Sequence, residues 1–266
     1  MMNCFLYSSN HEEQMKSLIK STLPIMSFVF LCSCVDSGSK TGSGSSGMNQ
    51  NEVIELDGSN VQGDYAGDIW PMNYNLHFKK IGAVGISRDG DNFTTTVSMK
   101  YGPKGTVVKQ ALYTARRCPT LKDDLNKDAY IDILEARLAI GKITIPFDAD
   151  LDSQMGGRES YPAVDLSGKM FYSQSASFSR MFEDLKGIDE NTSDQVIKLK
   201  ENEGITFPGR IVIFQGVPEK IKLPESVATT DGESRHESLP VGCAVLWKVK
   251  ELPRELTAPA ETTNTI

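Results

Sequence analysis

Between residues 84 and 99 apolar and polar positions alternate with a period of two, interrupted once. Val84 and Ile86 alternate with other residues, Asp89-Gly90-Asp91-Asn92 supplies turn chemistry, and Phe93, Thr95, Val97 and Met99 then mark one face, with Thr94, Thr96 and Ser98 on the other. Successive side chains of a strand point to opposite sides, so this pattern predicts a β-hairpin with one buried face. Further strands are predicted at residues 105–114, 142–146, 168–172, 196–199, 210–215 and 241–249. Short strands at this spacing with polar turns predict a mainly β domain over residues 53–250, an antiparallel Greek-key sandwich with one or two short helices. Helical spacing occurs twice. Ile131, Leu134 and Leu138 precede Gly141, a stop signal, and Phe178, Met181, Phe182 and Leu185 form a second short stripe. Both stripes are expected to face the core. Residues 251–266 are polar and are expected to form a flexible tail.

The N-terminal pattern is of a different kind. Lys16 and Lys20 precede a short apolar stretch, residues 23–31, which ends in Leu31-Cys32-Ser33-Cys34. A positive region followed by an apolar core too short to span a bilayer comfortably is the layout of an export signal, here residues 1–33, with Met15 as a possible true start. Its last four residues resemble the lipobox of bacterial lipoproteins: an aliphatic residue, two small ones, then the acylated cysteine. The resemblance implies cleavage before Cys34 and a diacyl-thioether anchor on it. The alternative is a signal cut elsewhere and a free Cys34. Val35 follows in place of the Asp often found in inner-membrane lipoproteins, which makes the outer membrane the expected location. Residues 36–51 are Gly/Ser-rich and nearly devoid of apolar residues, so 34–52 reads as a lipidated flexible linker.

Composition narrows the classes further. The chain has 266 residues and a net charge of −7, with no Lys/Arg-rich block, so nucleic-acid binding is not expected. Five cysteines stand at 4, 32, 34, 118 and 243. Export and acylation would leave Cys118 and Cys243, and two leftover cysteines in an oxidising compartment suggest one disulfide. Two buried thiols are the alternative.

The most specific chemical signal lies at residues 124–135. Asp124, Asn126, Asp128, Asp132 and Glu135 place side-chain oxygens at positions 1, 3, 5, 9 and 12 of an EF-hand loop, and Tyr130 at position 7 offers its backbone carbonyl. Ca²⁺ takes six to eight hard oxygen ligands, which alternate residues of a tight loop can supply. Position 6, normally Gly, is Ala129, and Cys118-Pro119-Thr120 leaves no room for an entering helix. Half an EF-hand with no paired loop predicts weak affinity, about 10⁻⁴ to 10⁻³ M. The alternative is an Asx-rich loop that caps a helix without metal. Asp148, Asp150 and Asp152 form a second acidic patch, expected to be a solvated loop.

A wider resemblance rests on the hairpin at 85–99, Arg117-Cys118-Pro119-Thr120, the Asp-rich loop before a helix, Ile145-Pro146-Phe147-Asp148, residues 211–216, and Leu239-Pro240-Val241-Gly242-Cys243. In this order they resemble secreted bacterial proteins related to chordin-type (CHRD) domains and, more remotely, copper/zinc superoxide dismutases, over residues 82–249. The resemblance implies that Cys118 pairs with Cys243. It also exposes a departure. The stretch corresponding to the dismutases' His-x-His strand is residues 110–117, beginning at Gln110, and another possible histidine position is Gln215. After cleavage only His77 and His236 remain, so a redox copper site is not expected. His77 reads as structural and His236 as exposed.

No nucleophile elbow, phosphate loop, HExxH or CxxC is present, and no catalytic residue is assigned. The expected function is non-enzymatic: a calcium-binding lipoprotein anchored in the bacterial envelope, with a binding or structural role. An enzyme that uses the calcium loop as scaffold is the second expectation, and a metal-handling relative of the dismutase fold the third.

Overall fold

The computed structural model describes residues 61–76, 79–152, 154–186, 195–200, 203–230 and 232–257. The export signal, Cys34, the linker and His77 lie outside the described residues. The alternation at 84–99 folds as a hairpin within a sheet of nine strands among those described. In chain order they are β1 (Gly63–Pro71), β2 (Gly82–Asp89), β3 (Asn92–Met99), β4 (Lys109–Tyr113), β5 (Ile143–Pro146), β6 (Met170–Ser177), β7 (Ile211–Gln215), β8 (Pro240–Val245) and β9 (Trp247–Val249). The sheet runs β5-β4-β7-β8-β1-β2-β3-β6, with β9 also on β1, and every strand pairing is antiparallel. The domain is thus mainly β, a curled sheet of sandwich or barrel type.

The hairpin turns at Gly90, whose φ of 59° suits a residue without Cβ, and Asp89 stands opposite Asn92. Phe93, Thr95, Val97 and Met99 are all buried, so the period-two reading placed this face correctly. Phe93 meets Phe207 at 5.6 Å between ring centres and Phe207 meets Tyr65 at 5.3 Å, joining β1 and β3 to a loop across the interior. Fully burying one such side chain contributes about 1.5–3 kcal/mol. The stretch predicted as a strand at 196–199 makes only a bridge, Val196 to Ile143, beside β5.

Three helices are described: α1 (Ile133–Ile140), α2 (Phe178–Lys186) and the single turn α3 (Arg235–Ser238). In α2 the expected stripe is realised, with Phe178, Met181 and Leu185 buried. In α1 it is not. Ile131 is buried ahead of the helix, but Leu134 and Leu138 are 42% and 83% exposed, and Ile133, Ala136 and Ile140 face the core instead. The phase is set by Asp132, which begins the helix one residue after Ile131 and turns Ile133 inward. Residues 251–257, assigned to the tail on sequence grounds, carry a 3-10 turn at Arg254–Leu256 whose Leu256 is buried beside Ala66 and Ala83.

Candidate functional site

The acidic loop lies between the disulfide and α1. Cys118 is bonded to Cys243 of β8, with Cα atoms 5.8 Å apart and a sequence separation of 125, which ties the start of the loop to the sheet. From there Arg117 makes a two-pronged ion pair with Asp123, at 2.8 and 2.7 Å. The Arg117 guanidinium holds the Asp123 carboxyl at about 2, well below the usual carboxylate range.

Within the loop, alternate side chains accept hydrogen bonds from backbone N–H groups further along. Asp124 accepts from Lys127 at 2.7 Å and from Ala129 at 3.0 Å, Asn126 from Asp128 at 2.9 Å, and Asp128 from Tyr130 at 2.8 Å. These bonds coil the chain tightly enough that two non-glycine residues take the left-handed region, Lys127 at φ 61° and Ala129 at φ 69°. For an L-residue that conformation costs roughly 1–2 kcal/mol. Ala129, at the position where an EF-hand carries Gly, therefore adopts the backbone that Gly would supply.

The loop closes on α1. Asp132 caps the helix, accepting from Leu134 at 2.9 Å and Glu135 at 3.0 Å, while Glu135 accepts in return from Asp132 at 3.2 Å. The other Glu135 oxygen accepts from Leu125 at 2.8 Å and Asn126 at 3.0 Å, so this buried carboxylate joins the two ends of the loop. Such reciprocal bonds satisfy helix N–H groups that have no partner within the helix. At the far end Gly141 stops α1 with φ 71°, and a Cβ there would meet the Thr114 hydroxyl at 2.3 Å.

Four residues outside the loop hold it, and sequence reasoning missed them all. Buried Asn73 donates to Ile131 at 3.2 Å and to Pro240 at 2.7 Å, and accepts from Ile131 at 2.7 Å. Asn75 donates to the Ala129 carbonyl at 3.0 Å, the Ser226 hydroxyl to Asp128 at 2.5 Å, and the Ala228 N–H to Asp132 at 2.8 Å. Two chain segments, 73–75 and 226–228, thus meet the loop, and no local pattern announces contacts made across 54 to 100 residues of sequence.

The structure therefore brings Asp124, Asn126, Asp128, Asp132 and Glu135 into one hydrogen-bonded turn, with the half-buried Tyr130 side chain packed against the core. It does not gather their carboxylates into a cage. Among the described residues no group of three or more His, Cys, Asp or Glu side chains stands close enough to hold a metal ion.

The second acidic patch departs from expectation at Asp148, whereas Asp150 is exposed and Asp152 half-buried. Asp148 is fully buried, and its carboxylate accepts from Gly156 at 2.8 Å. Burial, with the neighbouring Asp150 carboxyl adding to it, pushes Asp148 up to about 6. The Tyr172 hydroxyl donates to the Asp148 carbonyl at 2.7 Å, closing this loop against β6.

Gln110 is buried, its amide nitrogen donates to the Phe147 carbonyl at 3.2 Å, and its Oε1 has no partner among the described residues. His236, the one histidine among the described residues, is half-buried rather than exposed, with Nε2 2.8 Å from the Ile221 carbonyl. Elsewhere a groove of about 650 Å³ is lined by Trp70, Tyr74, Pro119, Trp247 and the disulfide. Its one ionised side chain, Asp68, is paired with Lys80 at 2.7 Å.

No protein-family model matches the chain, and no curated protein matches it. Among solved structures it is similar to a double mutant of an SOD-like protein from Bacillus subtilis, at 13% identity, covering 68% of this chain and 96% of that one, with a TM-score of 0.35. It is also similar to the Cu/Zn superoxide dismutase from Brucella abortus, at 14% identity, covering 68% and 98%, with a TM-score of 0.32. Likeness at this level carries no functional argument.

Proposed function

We propose that the protein is a non-enzymatic, calcium-binding lipoprotein of the bacterial envelope, anchored through Cys34, whose head has a binding or structural role. The calcium reading is supported by one observation above others. The loop at 124–135 holds Ala129 in the left-handed conformation of an EF-hand's sixth residue, while Asp124, Asn126 and Asp128 accept from backbone N–H groups further along the loop and Glu135 reaches back to its start. The donor set is all hard oxygen, which suits Ca²⁺ rather than copper or zinc. Asp124, Asn126, Asp128, Glu135 and the Tyr130 carbonyl would hold the ion, with Asp132 supporting from the helix cap. Binding would offset the crowding of acidic groups in the loop and lock it to α1. The anchor reading rests on sequence, through the order of charge, apolar core and cysteine at residues 16–34.

The test is calorimetric titration of the full chain with Ca²⁺, beside Asp128→Ala. Saturable binding near 10⁻⁴ to 10⁻³ M, lost in the variant, is the expected result, the range being roughly that of extracellular modules. No heat in either protein at millimolar Ca²⁺ removes the calcium claim. Mass spectrometry of the mature N-terminus tests the anchor separately: an unmodified Cys34, or cleavage at another residue, refutes it.

A further inference from the structure

The segment around the loop presents an unusual surface. Of the five exposed leucines among the described residues, four fall within it: Leu121, Leu125, Leu134 and Leu138, between 42% and 83% exposed. Leu134 and Leu138 share the outer face of α1, one turn apart, because Ile133, Ala136 and Ile140 take the inner face. Leu125 lies beside the first turn of that helix, since its N–H donates to Glu135.

Charge is sorted in the same place. Residues 116–142 carry six cationic side chains, Arg116, Arg117, Lys122, Lys127, Arg137 and Lys142, and all six are exposed. The same stretch has five carboxylates, and every one is buried or half-buried. Asp123 is spent on Arg117, and the other four bond to the loop's own backbone. In a chain of net charge −7 this segment carries one net positive charge, which a bound divalent cation raises to three.

We infer that the leucines and cations around the calcium loop form a docking face for an anionic phospholipid surface. Exposed leucines leave water for the headgroup–acyl boundary, while cations within a Debye length meet lipid phosphates. A second copy of the chain or an apolar peptide could cover the leucines; an anionic bilayer meets both halves of the segment at once, its acyl boundary taking the leucines and its phosphates the exposed cations of residues 116–142. The added charge from Ca²⁺ rests on the function proposed above. The leucines and the six cations are exposed without it.

The experiment uses the full chain with Cys34→Ser, so that no acyl chain contributes, and co-sedimentation with vesicles. Phosphatidylglycerol/phosphatidylcholine vesicles are compared with phosphatidylcholine alone, in Ca²⁺ and in EGTA. Leu134→Gln with Leu138→Gln removes the apolar ridge while keeping good helix formers. Any contribution from the N-terminal segment is common to both proteins. Binding to the anionic vesicles should fall roughly tenfold or more in the double variant, and should weaken with added salt. Equal binding of the two proteins, or equal binding to both vesicle types, overturns the inference. So does a dimer in lipid-free sedimentation that the variant abolishes while vesicle binding stays unchanged, because the face then belongs to a second copy. If calorimetry finds no Ca²⁺ binding but leucine-dependent binding to anionic vesicles persists in EGTA, the calcium reading fails and the docking face stands. If Ca²⁺ binds and the leucines make no difference, the reverse holds.

Discussion

Ala129→Gly is the most informative single substitution. Ala129 sits at φ 69°, exposed, with its N–H donating to Asp124 at 3.0 Å and its carbonyl accepting from Asn75 at 3.0 Å. An L-residue in the left-handed region costs roughly 1–2 kcal/mol, and Gly escapes that cost. Against this, Gly gives the unfolded chain more freedom, worth about 0.5–1 kcal/mol. The methyl group lost is exposed, so no core contact is removed. The net expectation is a gain of about 0.5–1 kcal/mol in stability. Urea unfolding measures it as a higher midpoint at unchanged slope. Ala139→Gly in α1 is the matched control and should lose about 1 kcal/mol, since there Gly meets only the helix penalty. If both substitutions destabilise by similar amounts, the left-handed loop is not the conformation held in solution, and the calcium geometry falls with it. In Ca²⁺ both proteins should gain stability by similar amounts, because the ion binds the coiled loop that both already hold and not the unfolded chain.

Two further outcomes follow from other parts of the fold. Reduction of Cys118–Cys243 frees a loop of 125 residues, which in the chain-entropy model is worth about 5 kcal/mol, so melting in reductant should come at a markedly lower temperature; an unchanged melting temperature would show that the pair does not cross-link the folded protein. Asp148 is held up at about 6 chiefly by burial, so its neutral form is favoured in the fold, and its stability penalty grows as pH rises from the ordinary carboxylate value through 6. Asp148→Asn should therefore stabilise at pH 7–8 by on the order of 1 kcal/mol and have little effect near pH 4, and equal effects at both would refute this.

Much of the sheet was legible in the sequence because one face of each of its clearer strands is buried. Phe93, Thr95, Val97 and Met99 alternate without a break, and period two permits one assignment of faces. Strand β1 was missed because Gly63, Gly67 and two aspartates interrupt its apolar positions, although Tyr65 and Ile69 are fully buried. The helix after the loop was legible in its existence and stop, but not in its phase. Leu134 and Leu138 fit helical spacing as well as Ile133, Ala136 and Ile140 do, and only the cap at Asp132 decides which set turns inward. At the loop itself, the spacing of oxygens and the Asp132–Glu135 box are local and readable. Asn73, Asn75, Ser226 and Ala228 arrive from distant segments through the topology of β1 and β8, and the sequence near them carries no sign of it. Asp148 was read as solvated because alternating aspartates usually are; the closure of Tyr172 over its loop buries it.

The most direct test is a crystal structure of the protein grown in millimolar Ca²⁺. The expected result is an ion about 2.3–2.6 Å from oxygens of Asp124, Asn126, Asp128, Glu135 and the Tyr130 carbonyl, with Ala129 still left-handed. A loop without an ion, in which Glu135 still accepts from Leu125 and Asn126, would contradict it and leave the turn as a helix cap alone.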